Sequence, residues 1–197
     1  MQKKLFCLVS LLVMLLCFTA AAEDDGGEMF KLHGYTDGIL VFESIYLDPH
    51  DGPGYDYFPV SLDLPKGASV RVLTQATDPG GNRWVLVESG KIRAYLLQQD
   101  ARGKTLIDCR LDDVPAEPAE MLNIWSCMLY EDCRLLYGPG AAYESSEFTA
   151  DTDSYGYVVL MNGEWALVEF QGDPDSASWL PQGRKTRGWI HFENLQY

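Results

Sequence analysis

Much nucleophilic, acid–base and transition-metal chemistry in proteins runs through a thiolate or an imidazole, which makes cysteine and histidine candidates for a reactive site. The chain holds 5 cysteines and 3 histidines. Cys7 and Cys17 fall in an apolar N-terminal run, which leaves Cys109, Cys127 and Cys133, while His33, His50 and His191 stand singly. Zinc asks for a closed set of such ligands, commonly opened by a Cys-x-x-Cys pair, and that spacing is missing. An odd number of thiols permits at most one intrachain bridge, and the short loop between Cys127 and Cys133 makes them the expected pair. Asp151-Thr152-Asp153-Ser154-Tyr155-Gly156 opens like a calcium loop, yet Asn162 stands where the bidentate Glu belongs and Tyr155 where an oxygen ligand belongs. It reads as a turn. No Gly-x-Ser-x-Gly elbow, His-Glu-x-x-His helix or Gly-rich phosphate loop occurs. The sequence therefore predicts no catalytic residues, no metal and no cofactor.

Aromatic side chains near loops are the better candidates for chemistry, since tyrosine and tryptophan offer an apolar face with a polar tip. Tyr55 and Tyr57 follow Gly52-Pro53-Gly54, and Tyr137 and Tyr143 flank Gly138-Pro139-Gly140. Trp165 and Trp189 sit in apolar segments, and Trp179 lies in a long polar stretch between them. These seven are the expected ligand-binding residues.

What positions them is a pattern that the chain carries twice. The first copy runs Phe42 to Leu47, Gly52-Pro53-Gly54-Tyr55, Val70 to Leu73, Arg83-Trp84-Val85-Leu86-Val87 and Arg93-Ala94-Tyr95-Leu96. The second runs Tyr130 to Leu135, Gly138-Pro139-Gly140 with Tyr143, Tyr157 to Leu160, Glu164-Trp165-Ala166-Leu167-Val168 and Arg187-Gly188-Trp189-Ile190. Segments in the same order read as two copies of one small β unit. Asp78-Pro79-Gly80-Gly81-Asn82 and Met161-Asn162-Gly163-Glu164 fall at the same place in each copy and read as hairpin connections. No sustained helical period occurs, beyond one helical turn allowed within Ala119 to Ser126, so the chain is expected to be all-β. Trp84 to Tyr95 spans 11 positions and Trp165 to Trp189 spans 24, so the second copy carries 13 extra residues around Trp179. An inserted loop of this kind either folds back on its own unit or meets a partner. The acidic, Pro/Ala-rich stretch 112–120 reads as a connecting segment between a first unit at 29–111 and a second at 121–197.

Within Trp84-Val85-Leu86-Val87 and Trp165-Ala166-Leu167-Val168 side chains alternate, so both faces of each strand are apolar. One face fills its own unit. The other must be covered by the neighbouring unit, by the Trp179 loop or by a ligand.

The N-terminus predicts location. Lys3-Lys4, an apolar run from Leu5 to Phe18 and Ala20-Ala21-Ala22 before Glu23 make a secretory signal peptide over 1–22, cleaved after Ala22. Leu15-Leu16 ahead of Cys17 is unlike a lipoprotein site, and no stretch approaches the roughly 20 apolar residues of a spanning helix. Glu23 to Glu28 is expected to be frayed. The net charge of −14 becomes −16 once Lys3 and Lys4 are removed. Such a charge keeps a secreted protein soluble and argues against nucleic acid and anionic surfaces as partners.

Cys133-Arg134-Leu135-Leu136-Tyr137-Gly138-Pro139-Gly140-Ala141-Ala142-Tyr143, then Asn162-Gly163-Glu164-Trp165-Ala166-Leu167-Val168 and Arg187-Gly188-Trp189-Ile190, resemble a bacterial SH3 (SH3b) domain. The first copy resembles it less closely, with His50-Asp51 ahead of its Gly-Pro-Gly and Ala94-Tyr95 in place of Gly188-Trp189. The resemblance implies two small SH3-like barrels in tandem, serving as a non-catalytic targeting module for cell-wall peptide or glycan. Such modules often stand beside a hydrolase, commonly a Cys/His peptidase, for which this chain shows no separate domain. The alternative is a protein-interaction or inhibitor module whose acidic surface meets a basic extracellular protein.

Overall fold

The computed structural model describes residues 32, 34–117, 125–172, 177, 179–180 and 181–196. The expected signal segment, the stretch 23–28 and most of the allowed helical turn lie outside them. The chain is all-β, in two sheets of which one curls into a half-barrel. Strands β1 (Thr36–Leu40), β2 (Ser69–Thr77), β3 (Arg83–Ser89), β4 (Ile92–Gln99) and β5 (Ile107–Cys109) form the first sheet, in the order β4-β3-β2-β1-β5. Strands β6 (Ser126–Leu129), β7 (Cys133–Leu136), β8 (Ser145–Ala150), β9 (Tyr155–Asn162), β10 (Trp165–Gln171), β11 (Lys185–His191) and β12 (Leu195–Gln196) form the second, in the order β12-β6-β9-β10-β11-β7-β8. Each sequence copy thus builds its own sheet around an antiparallel meander, β2-β3-β4 or β9-β10-β11.

The hairpins fall where turn chemistry put them. Asp78 closes the β2–β3 connection, its carboxylate accepting from Asn82 N, Asn82 Nδ2 and the buried indole of Trp84. Gly163, with φ +62, supplies the left-handed turn between β9 and β10. Asp151 to Ser154 is likewise a turn, with Ser154 N donating to Asp151 O.

Alternation then sorts the side chains. Val85 and Val87 join Leu40, Val70, Val72 and Ile107 in the first core, and Ala166, Val168 and Phe170 join Leu129, Leu135 and Ile190 in the second. On the opposite faces, Thr74, Leu86 and Tyr95 stand side by side across the first meander, as Leu160, Leu167 and Trp189 do across the second. Those six are buried as well.

One expectation is corrected, and one stretch is held more tightly than its composition implies. The stretch read as a connecting segment is tied down over its first part: Val114 is buried, Gln75 N donates to Pro115 O at 3.0 Å and Glu117 N donates to Gln75 O at 2.8 Å. The β1 pairing ends at Thr36 opposite Val72, which leaves the Gln75 main chain in need of partners, and 115–117 supplies them. The correction concerns the thiols: Cys109, Cys127 and Cys133 are all free, with no bridge between Cys127 and Cys133. Cys127 pairs opposite Gly156 on β9 and Cys133 opposite Ala150 on β8, so their strands have different neighbours despite the short loop between them.

Candidate functional site at the junction of the two sheets

The two copies meet through their Gly-Pro-Gly loops, each of which reaches across to the other copy's last hairpin. A Cβ added to Gly52 would fall 2.0 Å from the Tyr57 ring, and one added to Gly138 would fall 1.9 Å from the Tyr143 ring. Glycine is required at both because the tyrosine folds back over the loop backbone. The structural counterpart of Tyr143 is therefore Tyr57, rather than Tyr55.

Both hydroxyls cross the junction. Tyr57 Oη donates to Glu169 Oε2 at 2.6 Å, and Tyr143 Oη donates to Glu88 Oε2 at 2.6 Å. Glu88 and Glu169 hold equivalent places near the ends of β3 and β10, and each also takes an arginine Nε at 2.7 Å, from Arg93 and Arg187 respectively. The guanidinium planes lie over rings of the opposite copy: Arg93 is 5.2 Å from Trp189 and 5.5 Å from Tyr143, and Arg187 is 5.3 Å from Tyr95 and 5.3 Å from Tyr57. Main-chain bonds join equivalent positions too, with Glu144 N donating to Lys91 O and Lys185 N to Asp56 O. Such mutual contacts describe a pseudo-two-fold, isologous pairing inside one chain. The outward apolar faces of the meanders are covered by it, with Leu32 packing against both the first core and the Leu160–Leu167–Trp189 row.

The symmetry breaks at Arg187. Its Nη1 donates to Tyr95 Oη at 2.8 Å and to Glu117 Oε2 at 2.9 Å, and Tyr95 Oη donates to Glu117 Oε1 at 2.5 Å. Trp189 stands where the first copy has Tyr95 and offers no hydroxyl, and the Nη1 of Arg93 is buried without a partner. Burial alone would raise the Glu169 carboxyl, but the Arg187 charge and the bonds from Tyr57 and Arg187 hold it below the usual range. Burial likewise works against charge on Arg187, and its ring of tyrosines and glutamates outweighs it. Nearby, Thr186 Oγ1 donates to Asp51 Oδ2 at 2.5 Å; burial pushes the Asp51 carboxyl up to about 7 despite bonds from Thr186, Phe58 N and Arg187 N.

Beside this cluster opens a cleft of about 500 Å³ lined by both copies, with Tyr57, Glu117, Glu169 and Arg187 inside and Arg83 and Lys185 among its remaining walls. A cleft of this size takes a short peptide or a sugar unit, and it offers donors and acceptors of both charges.

Of the residues expected from sequence, Tyr57, Tyr143, Tyr137 and Trp189 come together at the junction. Tyr57 is 4% exposed and Trp189 1%. Tyr55 is 51% exposed and leans edge-on against buried Trp84 at 5.2 Å and His50 at 6.0 Å, away from the clasp. Trp165 is half-buried against His191. Trp179 folds back, its indole donating to Ser154 Oγ at 2.8 Å and its ring packing 5.5 Å from Phe170 and 6.0 Å from Phe148. The stem of the same inserted loop also grips the first copy, because Arg184 donates to Tyr55 O and Tyr57 O and lies over Phe58.

Sequence reasoning missed the charges that make the junction: Glu88, Arg93, Glu117, Glu169 and Arg187, with Asp51 beside them. A signal for four of these was present. Glutamate follows Val87 and Val168, and arginine precedes Ala94 and Gly188, so the same charged residue sits at the same apolar-strand position in both copies. No protein-family model matches the chain, and no curated protein matches it.

Proposed function

We propose that the protein is a secreted, non-catalytic recognition module of two SH3-like units, released from a signal peptide after Ala22, that binds cell-wall peptide or glycan in the cleft between its copies. The observation that carries this reading is the cleft of about 500 Å³ whose walls come from both copies. The buried clasp of Arg187 with Glu117 and Glu169 supports it, because a site divided between two units is useful only when the units are held in register. Arg83 and Lys185 provide donors at the walls.

The test is retention of the 23–197 chain on purified cell wall at moderate salt. Retention that falls severalfold in Arg83→Glu and Lys185→Glu, with unchanged melting temperature, supports the cleft. Retention of both variants at the parental level overturns it. A second reading rests on the net charge of −14, which favours a basic extracellular protein as partner. Under that reading capture of a basic protein weakens steeply with salt, whereas wall retention through a mixed-charge cleft weakens little.

A further inference from the structure

The pseudo-two-fold sets matching sites over the tryptophans that open the two central strands, Trp84 on β3 and Trp165 on β10. Trp84 pairs opposite Leu97 and Trp165 opposite His191, each two residues along the neighbouring strand from Tyr95 or Trp189. The Gly-Pro-Gly loops beside them share one backbone course: Gly54 N donates to Gly52 O and Tyr57 N to Gly54 O, as Gly140 N does to Gly138 O and Tyr143 N to Gly140 O. Tyr55 and Ala141 therefore hold the same place in the two loops. Ahead of them His50 pairs with Tyr95 as Leu136 pairs with Trp189.

What differs is the cover. Tyr55 lies edge-on to Trp84 at 5.2 Å and His50 at 5.6 Å, and Trp84 is fully buried. Ala141 has no ring to offer, and Trp165 stays half-buried with His191 edge-on to it at 5.2 Å. Beside Trp165 opens a hollow of about 180 Å³, and Leu136 and Trp189, the counterparts of His50 and Tyr95, are among its walls. An apolar cavity of roughly 150 Å³ holds one benzene ring, so this hollow has the size of a single aromatic side chain. Its rim is acidic on balance, with Asp132 on the wall and Glu164 and Glu193 beside His191, against Arg134. None of the residues lining it lines the junction cleft.

We propose that this hollow is a docking site for a tyrosine side chain of a basic protein or peptide, whose ring takes over Trp165 the place that Tyr55 takes over Trp84. The first copy supplies its own ring, and the second receives one from a partner. Edge-on packing of a ring against an indole is a geometry that aromatic pairs prefer, and an aromatic anchor seated in a pocket is the usual centre of a protein interface. The acidic rim selects basic neighbours for that tyrosine. The site stands apart from the junction cleft and does not depend on the wall-binding reading.

The test is made on the 23–197 chain. Ala141→Tyr restores the ring at an exposed position. It is expected to raise the melting temperature by about 2–4 °C and to give nuclear Overhauser contacts between the new ring and the Trp165 indole. In the parent, acetyl-Lys-Tyr-Lys-amide should shift the Trp165 indole resonance and the amides of residues 134–136 and 189–191 severalfold more than acetyl-Lys-Ala-Lys-amide or acetyl-Glu-Tyr-Glu-amide at the same concentration. That response should vanish in Ala141→Tyr. An Ala141→Tyr chain with neither a higher melting temperature nor ring contacts to Trp165 overturns the proposal, as does an equal response to either control peptide or an undiminished response in the variant. Wall retention by Ala141→Tyr stays at the parental level whichever way these measurements fall, because Ala141 does not line the junction cleft, so the two proposals fail separately.

Discussion

Arg187 is where most of the junction's polar chemistry converges, and its removal has a definite consequence. In Arg187→Met the carboxylates Glu117 and Glu169 stay buried without their cation, a loss of about 3–5 kcal/mol by the behaviour of broken buried ion pairs. Chemical denaturation should show a much smaller loss for Arg93→Met, whose Nη1 is unpaired to begin with; equal losses would mean that Glu117 and Tyr95 add nothing. Asp51 carries a pH dependence. Its folded value is raised from 3.8 to about 7, so between those values the folded state keeps a proton that the unfolded state releases, and stability falls as pH rises through that window. Glu88 and Glu169 act in the opposite sense: their lowered values add stability above the ordinary glutamate range, lost as pH falls through their folded values. Melting curves of Asp51→Asn should gain on the parent steadily from pH 4 to pH 7 (about one decade of proton affinity per unit), and a constant gap between them would show Asp51 ionised throughout. The thiols are silent by comparison, because burial pushes Cys127 up to about 12 and Cys109 up to about 11. A thiol reagent should find all three only after unfolding, and fewer than three would reveal a bridge.

Among the elements, the inserted loop between β10 and β11 serves packing at its tip and pairing at its stem. Trp179 seals one side of the second core beside Phe148 and Phe170, while Arg184 holds the first copy's loop. Trp179→Ala should cost about 2–3 kcal/mol, below the cost of truncating a fully enclosed aromatic, and leave wall retention of the folded variant unchanged. Loss of retention without loss of stability would make Trp179 a contact residue instead. The Gly-Pro-Gly loops are equally structural: Gly138→Ala drives a methyl into the Tyr143 ring and should loosen the junction at Glu88.

For the molecule as a whole, the reciprocal clasp predicts one cooperative unfolding transition. Each sheet has its own core, yet the Leu86–Tyr95 and Leu167–Trp189 faces lie buried and would meet water if the copies parted. Calorimetry of the parent should give a single peak. Two resolved peaks would show that the copies unfold independently and that the junction contributes little.

The β strands, their hairpins and the duplication were legible in the sequence, because alternation, Asn-Gly and Asp-Pro-Gly-Gly turns and a repeated Trp-x-Leu-Val core act locally. The repeat even required a cover for the second apolar face of each central strand. Which cover is used was decided only in three dimensions, where the shape of each copy matches the other across a pseudo-two-fold and residues 112 positions apart, Tyr57 and Glu169, share a hydrogen bond. The same holds for residues 114–117 of the acidic stretch 112–120. Its composition reads as a spacer, but the unpaired main chain of Gln75 draws it in through a single parallel bridge at Ala116, and Glu117 arrives at Arg187 with it. Partners of that kind are chosen by unsatisfied groups on distant elements, and no local pattern of residues records them.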